Sequence, residues 1–269
     1  EVIVVNQSDI QTVNFDVKGM TCASCEEHVK HAVNELEGIV NEEKLPLVED
    51  GQRIGSPIAR PSKILCIGLN YAKHAKETGA AIPTEPILFL KSTSSLTGPF
   101  DNIIIPKNSE KTDWEVEIAF VIGKKGKNIS LAEAESYIFG YCLVCDFSER
   151  EWQKKRSGQW VKGKSSETFG PVGPYIVTKD EIKDVYNLNM SLDVNGKRMQ
   201  TGNTSKMIHK MNFLTSYASE FMTLLPGDII TTGTPPGVGD SMKPPKYLKK
   251  GEVVTLSIDQ LGSQKHSVV

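Results

Sequence analysis

Trp114-Glu115-Val116-Glu117-Ile118-Ala119-Phe120-Val121-Ile122-Gly123 decides how this chain is read. β-Branched and aromatic residues dominate the stretch and a glycine stops it, which predicts a β-strand. Side chains alternate faces in a strand, so Glu115 and Glu117 share a face with Ala119 and Val121. A surface strand keeps such a face polar to its end. This one turns apolar after two carboxylates, which points the carboxylates into an interior. Two buried carboxylates ~6–7 Å apart along the backbone repel each other unless a cation lies between them. A hard divalent ion such as Mg²⁺, which prefers oxygen ligands, meets that need. The alternative from this stretch alone is an amphipathic edge strand with two solvated glutamates.

Working outward, Tyr141 to Phe147 reads as a buried strand carrying Asp146 at its end, a third oxygen ligand. Cys142 and Cys145 lie three apart in that strand and point to opposite faces, so both read as core cysteines. Upstream, Asn70 to Gly79 is a loop entering a short helix. His74 and Glu77, three apart, are neighbours on one helical face. A carboxylate beside an imidazole raises its pKa and fixes its tautomer, which prepares a general base; an ordinary surface pair has the same spacing.

Lys91 closes the apolar strand Pro86 to Lys91 and is either a carboxylate binder or a solvated strand end. Gln153 lies on the polar turn 148–155. Lys164 sits between small residues and can approach a substrate anion, or is a surface lysine. Ile229 to Gly239 is a strand running into a glycine loop whose amides and Thr234 hydroxyl can hold a carboxylate. That loop lacks the lysine of a P-loop, which argues against a nucleotide.

The remaining pattern gives strands at Lys63–Gly68 and Asn102–Pro106 and a helix from Ser130 through Tyr137, opened by a Ser130/Glu133 capping box. A hairpin turns at Asn195-Gly196, a helix covers Lys210–Leu224, and residues 252–269 form a terminal hairpin.

With 269 residues, one large domain plus a small appendage is expected. The net charge of −2 gives no pull toward nucleic acid or membrane. No apolar run approaches ~20 residues, and no signal-peptide pattern is present. The five cysteines fall as two pairs and a single, which is not a disulfide framework; a reducing cytoplasm fits best.

The N-terminal part differs from the rest. Thr12 to Lys18 alternates as a short strand, Gly19-Met20-Thr21-Cys22-Ala23-Ser24-Cys25 follows as a loop, and Glu26 to Glu37 reads as a helix with Val29, Ala32, Val33 and Leu36 on one face. This unit resembles the first half of a heavy-metal-associated domain. The resemblance implies a soft ion held by the Cys22 and Cys25 thiolates. The expected organisation is this partial unit over 1–41, a Pro/Gly-containing linker over 42–60 and a catalytic domain over 61–269.

From about Leu45 onward the chain resembles the fumarylacetoacetate hydrolase family. The resemblance is carried by Gly68-Leu69-Asn70-Tyr71 with His74 and Glu77, by Leu88 to Lys91, and by Glu115-Val116-Glu117. It continues through Asp146 with Gln153, Lys164-Ser165, and Thr232 to Gly239. Within the family it is most similar to the branch acting on 2,4-diketo-3-deoxy sugar acids, whose members often carry a ureidoglycolate lyase label. The resemblance implies an α+β fold, a mixed β-roll with peripheral helices, joined here to the small N-terminal β-α unit. It also implies a homodimer and one Mg²⁺ or Mn²⁺ per subunit on Glu115, Glu117 and Asp146. His74 and Glu77 become a water-activating dyad, with Lys164 countering charge. Tyr71, Lys91, Gln153 and Thr234 become contacts for a small 2-oxo acid. Several acylpyruvase-type members have arginine where this chain has Leu69. The implied reaction is hydrolysis of a carbon–carbon bond, with decarboxylation, isomerisation or ureidoglycolate cleavage as alternatives at the same metal site. Soft-metal binding through Cys22/Cys25 is the rival from another class.

Overall fold

The computed structural model describes residues 52–269 and, ahead of them, two short antiparallel strands, Val2–Val4 and Val13–Phe15. The second coincides with the alternating stretch at 12–18. The Cys22/Cys25 loop and the helix expected after it lie outside the described residues.

Val116–Ile122 forms the strand its composition predicts, and every residue in it is buried. It sits inside a six-stranded mixed sheet. The order across that sheet is Val177–Thr178, Ile138–Cys145, Val116–Ile122, Ile229–Thr231, Ile64–Gly68, Ile87–Lys91. All neighbours are antiparallel except Ile229–Thr231 with Ile64–Gly68. A second sheet is fully antiparallel: Lys197–Asn203, Asn189–Val194, Val253–Ile258, Gly262–Ser267. Asn195 and Gly196 both take positive φ, 51° and 73°, so the first hairpin turns with the twist of its strands.

The period-2 alternation sorts the core. Val116, Ile118, Phe120 and Ile122 face a large apolar cluster shared with Met190, Leu192, Val194, Val254, Leu256 and Ile258 of the second sheet. Ala119 and Val121 face a smaller cluster with Ile64, Cys66, Cys142 and Val144. Cys142 and Cys145 fall into the two different clusters, as opposite faces of one strand must. Burying both faces is the pattern of a central strand, and it excludes the amphipathic edge strand.

Among the described residues helices are few and short, and the architecture is a mixed α+β fold. Met211–Phe221 is the longest of these, and Ala72–Glu77, Arg150–Lys155 and Val161–Lys164 border the site. Two local expectations need correction. Ser130 does not open an α-helix: its Oγ bonds the Glu133 side chain at 2.6 Å, and only a 3₁₀ segment, Ala134–Tyr137, follows. Asn102–Pro106 is not a strand, because Ile103 makes a single bridge to Val268.

Candidate metal centre and active site

Glu115 lies one residue before the central strand and Glu117 within it, while Asp146 follows the neighbouring strand. Antiparallel pairing of Val116 with Cys145 brings these positions together. One oxygen from each of Glu115, Glu117 and Asp146 lies within 4.8 Å of the others, and all three residues are buried. This is the cluster the sequence predicts.

Cations close in on it. Lys164 Nζ donates to Glu115 Oε2 at 2.7 Å and to Asp146 Oδ2 at 2.6 Å. Lys91 Nζ donates to Asp146 Oδ1 and, at 3.1 Å, to the Phe147 carbonyl. Arg150 Nε donates to Asp113 Oδ2 at 2.8 Å, while its Nη2 lies 2.7 Å from Glu115 Oε1. That Nη2 is poorly aligned with the carboxylate and is left without a hydrogen-bond partner, although Arg150 is only 5% exposed.

The charges do not cancel: Asp113, Glu115, Glu117 and Asp146 face only Lys91, Arg150 and Lys164. Glu117 is the carboxylate with no ion pair among the described residues; its Oε2 accepts the Gly233 amide at 2.8 Å. Gly233 can aim that N–H because it adopts φ +89°. Burial works against the charge on Glu115, yet Arg150 and Lys164 outweigh it and hold the carboxyl below its ordinary range. Glu117 goes the other way: burial, then the negative charges of Asp146 and Glu115, push it well above. Burial would depress Lys164, but Asp146 and Glu115 raise it instead and keep it protonated. An excess of buried oxygen ligands with one uncompensated carboxylate suits a hard divalent cation.

Beside the carboxylates, the helix Ala72–Glu77 presents the pair expected of a general base. His74 Nδ1 and Glu77 Oε1 are 2.8 Å apart. Glu77 is fixed in turn by the Gly237 amide. His74, Glu115, Glu117, Gln153, Lys164 and Thr234 all line one cavity of about 230 Å³. Its polar lining is this group together with Thr78, Arg150, Lys154 and Asp240. Its other wall is apolar and includes Leu69, Phe89 and Trp160.

Two residues expected to touch substrate lie elsewhere. Tyr71 does not reach the cavity; it packs in the main core with its hydroxyl 3.5 Å from Met190 Sδ. Lys91 sits behind Asp146 and does not line the cavity either. Thr234 lines the cavity, but its hydroxyl is spent on the Val116 carbonyl at 2.9 Å and on Gln200 Nε2 at 2.8 Å. It braces the strand that carries Glu117. Arg150, Asp113 and Trp160 are the site residues sequence reasoning missed. Spacing gives no signal for the Asp113–Arg150 pair, which is a purely tertiary contact.

A family model of the fumarylacetoacetate (FAA) hydrolase C-terminal region matches residues 63–269. The chain belongs to the fumarylacetoacetate hydrolase family. A heavy-metal-associated domain model matches residues 14–43. A relative from Burkholderia multivorans, named only as a hydrolase, is 54% identical over 221 residues, 82% of this chain and 78% of that one. The solved structure of a fumarylacetoacetate hydrolase from psychrophilic Exiguobacterium antarcticum is similar at TM-score 0.78 and 37% identity, over 85% of this chain and 82% of that one. The 2-hydroxyhepta-2,4-diene-1,7-dioate isomerase of Mycobacterium marinum is similar at TM-score 0.70 and 36% identity, over 82% of each chain. Structures named for hydrolase and isomerase chemistry therefore share this fold, and the chain is an enzyme of the fumarylacetoacetate hydrolase superfamily. No helix among the described residues is long and apolar enough to cross a membrane.

Proposed function

We propose that this enzyme hydrolyses the C3–C4 bond of a 2,4-dioxo acid, an acylpyruvate or a 2,4-diketo-3-deoxy sugar acid, giving pyruvate and a carboxylic acid. The observation that carries this reading is one cavity lined by Glu115, Glu117, Lys164 and His74, with Asp146 completing the carboxylate triad and Glu77 bonded to His74 behind that lining. Glu115, Glu117 and Asp146 would hold Mg²⁺ or Mn²⁺. The ion, when bound, supplies a Lewis acid for negative charge developing on the 2-oxo group.

The chain's own residues do the rest. Glu77 occupies His74 Nδ1, which leaves Nε2 to take a proton from water as the oxygen attacks C4. The C3–C4 pair then moves onto C3 as an enolate, which is protonated to pyruvate, and the acyl group leaves as the acid. Lys164 and Arg150 oppose the negative charge as it develops. Gln153, whose Oε1 accepts from Arg150 at 3.1 Å, holds that guanidinium beside the substrate.

The test is pyruvate release from a panel of acylpyruvates and 2,4-diketo-3-deoxy sugar acids, with Mg²⁺ and with chelator. Chelator-sensitive release supports the reading. No release from any of them, by a folded protein that takes up Mg²⁺, rejects it in favour of decarboxylation, isomerisation or ureidoglycolate cleavage. The likeness to an isomerase favours keeping isomerisation in the panel. A separate soft-metal activity at Cys22 and Cys25 is supported by the heavy-metal-associated match. Hg²⁺ titration against a Cys22→Ser/Cys25→Ser variant tests it, and equal uptake by both proteins rejects it.

A further inference from the structure

We infer that the Lys154–Asp240 pair and the apolar wall around Leu69 act as a specificity filter, admitting a 2-oxo acid with one carboxylate and a short uncharged tail. The inference rests on the proposed 2-oxo acid reading and narrows it.

Every cation lining the cavity already has a carboxylate. Arg150 has Asp113 and Glu115, Lys164 has Glu115 and Asp146, and Lys154 has Asp240 at 2.5 Å. A divalent ion on the triad takes up the negative charge that Lys164 and Arg150 now share, so these two cations face the carboxylate head beside it. Lys154 gains nothing from that ion, because its partner Asp240 is not one of the triad carboxylates. Asp240 is also pinned from behind, accepting the Tyr247 hydroxyl at 2.6 Å and donating its own amide to Asp113 at 3.0 Å. A second carboxylate on the tail would reach Lys154 only alongside Asp240, whose own carboxylate already offsets that charge, so it would lie in a like-charge contact with Asp240.

Between head and rim the wall offers the tail few polar groups. Leu69, Ala80, Phe89 and Val238 are apolar there, the Thr78 hydroxyl is spent on the Ala75 carbonyl at 2.9 Å, and Trp160 adds one indole N–H to an otherwise apolar ring. The several hydroxyls of a sugar-acid tail would be stripped of water against these side chains with too few replacement bonds. The wall is also built to stay in place. Trp160 meets Phe89 edge-on with ring centroids 5.3 Å apart, and it presses on Gly68, where an added Cβ would lie 2.5 Å from its ring. Leu69 holds a left-handed backbone at φ 53°, which a non-glycine residue adopts only when its surroundings enforce it. A cavity of about 230 Å³ is below the ~300–1,000 Å³ of pockets for larger organic ligands, which keeps the tail short.

The test separates this filter from the parent reading by using inert 2-oxo acid mimics of equal length, N-propyloxamate and N-(2-carboxyethyl)oxamate. Their binding to the Mg²⁺-loaded full chain is measured by calorimetry. The propyl compound should bind at least about tenfold tighter. Asp240→Asn, which keeps the backbone contact and releases Lys154, should shift the ratio toward the carboxyethyl compound by about tenfold. Equal or tighter binding of the carboxyethyl compound to the unaltered chain overturns the filter while leaving the 2-oxo acid reading intact. A ratio unmoved by Asp240→Asn removes Asp240 from it. Binding of neither compound to protein that takes up Mg²⁺ overturns the 2-oxo acid reading, and the filter with it.

Discussion

Gly237 donates its backbone N–H to Glu77, lying 2.9 Å from Oε2 and 3.1 Å from Oε1. This contact ties the glycine loop to the helix that carries His74. Gly237 adopts φ +109°, and an added Cβ would come within 2.1 Å of the Met199 carbonyl oxygen. Gly237→Ala should therefore move the loop and release Glu77. We expect a loss of about 2 kcal/mol or more in stability, read by urea denaturation. A larger fall in kcat than in Mg²⁺ affinity should accompany it. Unchanged kcat in this variant would show that the glycine loop does not orient the dyad.

His74→Ala should leave metal uptake intact and reduce turnover by roughly 10²–10⁴-fold, the usual contribution of a positioned base. Glu77→Gln should fall between the two, since the amide keeps the position but not the charge. Mg²⁺ titration followed by fluorescence, paired with pyruvate release, checks both. An active His74→Ala protein would end the case for the dyad.

Glu117 is the carboxylate with no ion pair among the described residues, and burial with its neighbours' charges raises its pKa. A raised folded-state pKa means stability is fullest below the ordinary glutamate value of ~4.3 and declines as pH climbs through the raised value. Glu117→Gln removes that penalty. Metal-free Glu117→Gln should be as stable as the unaltered chain near pH 4 and more stable, by ~1 kcal/mol or more, near pH 8. It should also lose the rise in Tm expected of the unaltered chain on adding Mg²⁺. Melting curves across pH, with and without Mg²⁺, measure both effects. Glu115→Gln should behave differently, because it takes one of two carboxylate partners from each of Arg150 and Lys164; a loss of ~1–3 kcal/mol is expected.

Asp101 gives the opposite pH signature. Burial disfavours its charge, but bonds from Arg53, Thr97 and the Gly98 amide outweigh that and hold it at about 2. A depressed carboxyl contributes stability above its unfolded value of ~3.9, and that contribution fades as pH falls toward the folded value. Asp101→Asn should cost on the order of 1 kcal/mol at neutral pH, modest because Arg53 is exposed. The gap between variant and parent should close between about pH 4 and 2. A gap that stays constant down to pH 2 would assign the loss to packing instead.

The central strand was readable because alternation and a sudden switch from Glu to Ala and Val on one face have a physical meaning that needs no tertiary information. The His74–Glu77 contact was readable for the same reason, since three residues on a helix fix a distance. Asp146 could be placed at a strand end and offered as a third ligand, while the contact that seats it beside Glu115 depends on the register of two strands. Lys91 and Tyr71 were misplaced by the same limit. Both follow apolar runs near the site in sequence, yet one turns behind Asp146 and the other into the core. Arg150 was invisible because its partner Asp113 comes from a different part of the chain. The Ser130 capping box failed because it specifies how a helix begins and not whether enough apolar face follows to extend it.

The strand Ile229–Thr231 enters the sheet between two strands made much earlier in the chain, with Ile229 opposite Ile64 on one side and Val121 on the other. Pairings so distant in sequence close long loops, and such topologies fold slowly. Gly233, whose amide holds Glu117, sits just past that inserted strand. The carboxylate cluster therefore takes its final shape only after the sheet has closed. A divalent ion meeting the nascent chain would find no site to nucleate on. Its stabilisation should fall on the native side of the folding barrier, lengthening the lifetime of the folded enzyme while leaving the rate at which it is reached nearly unchanged.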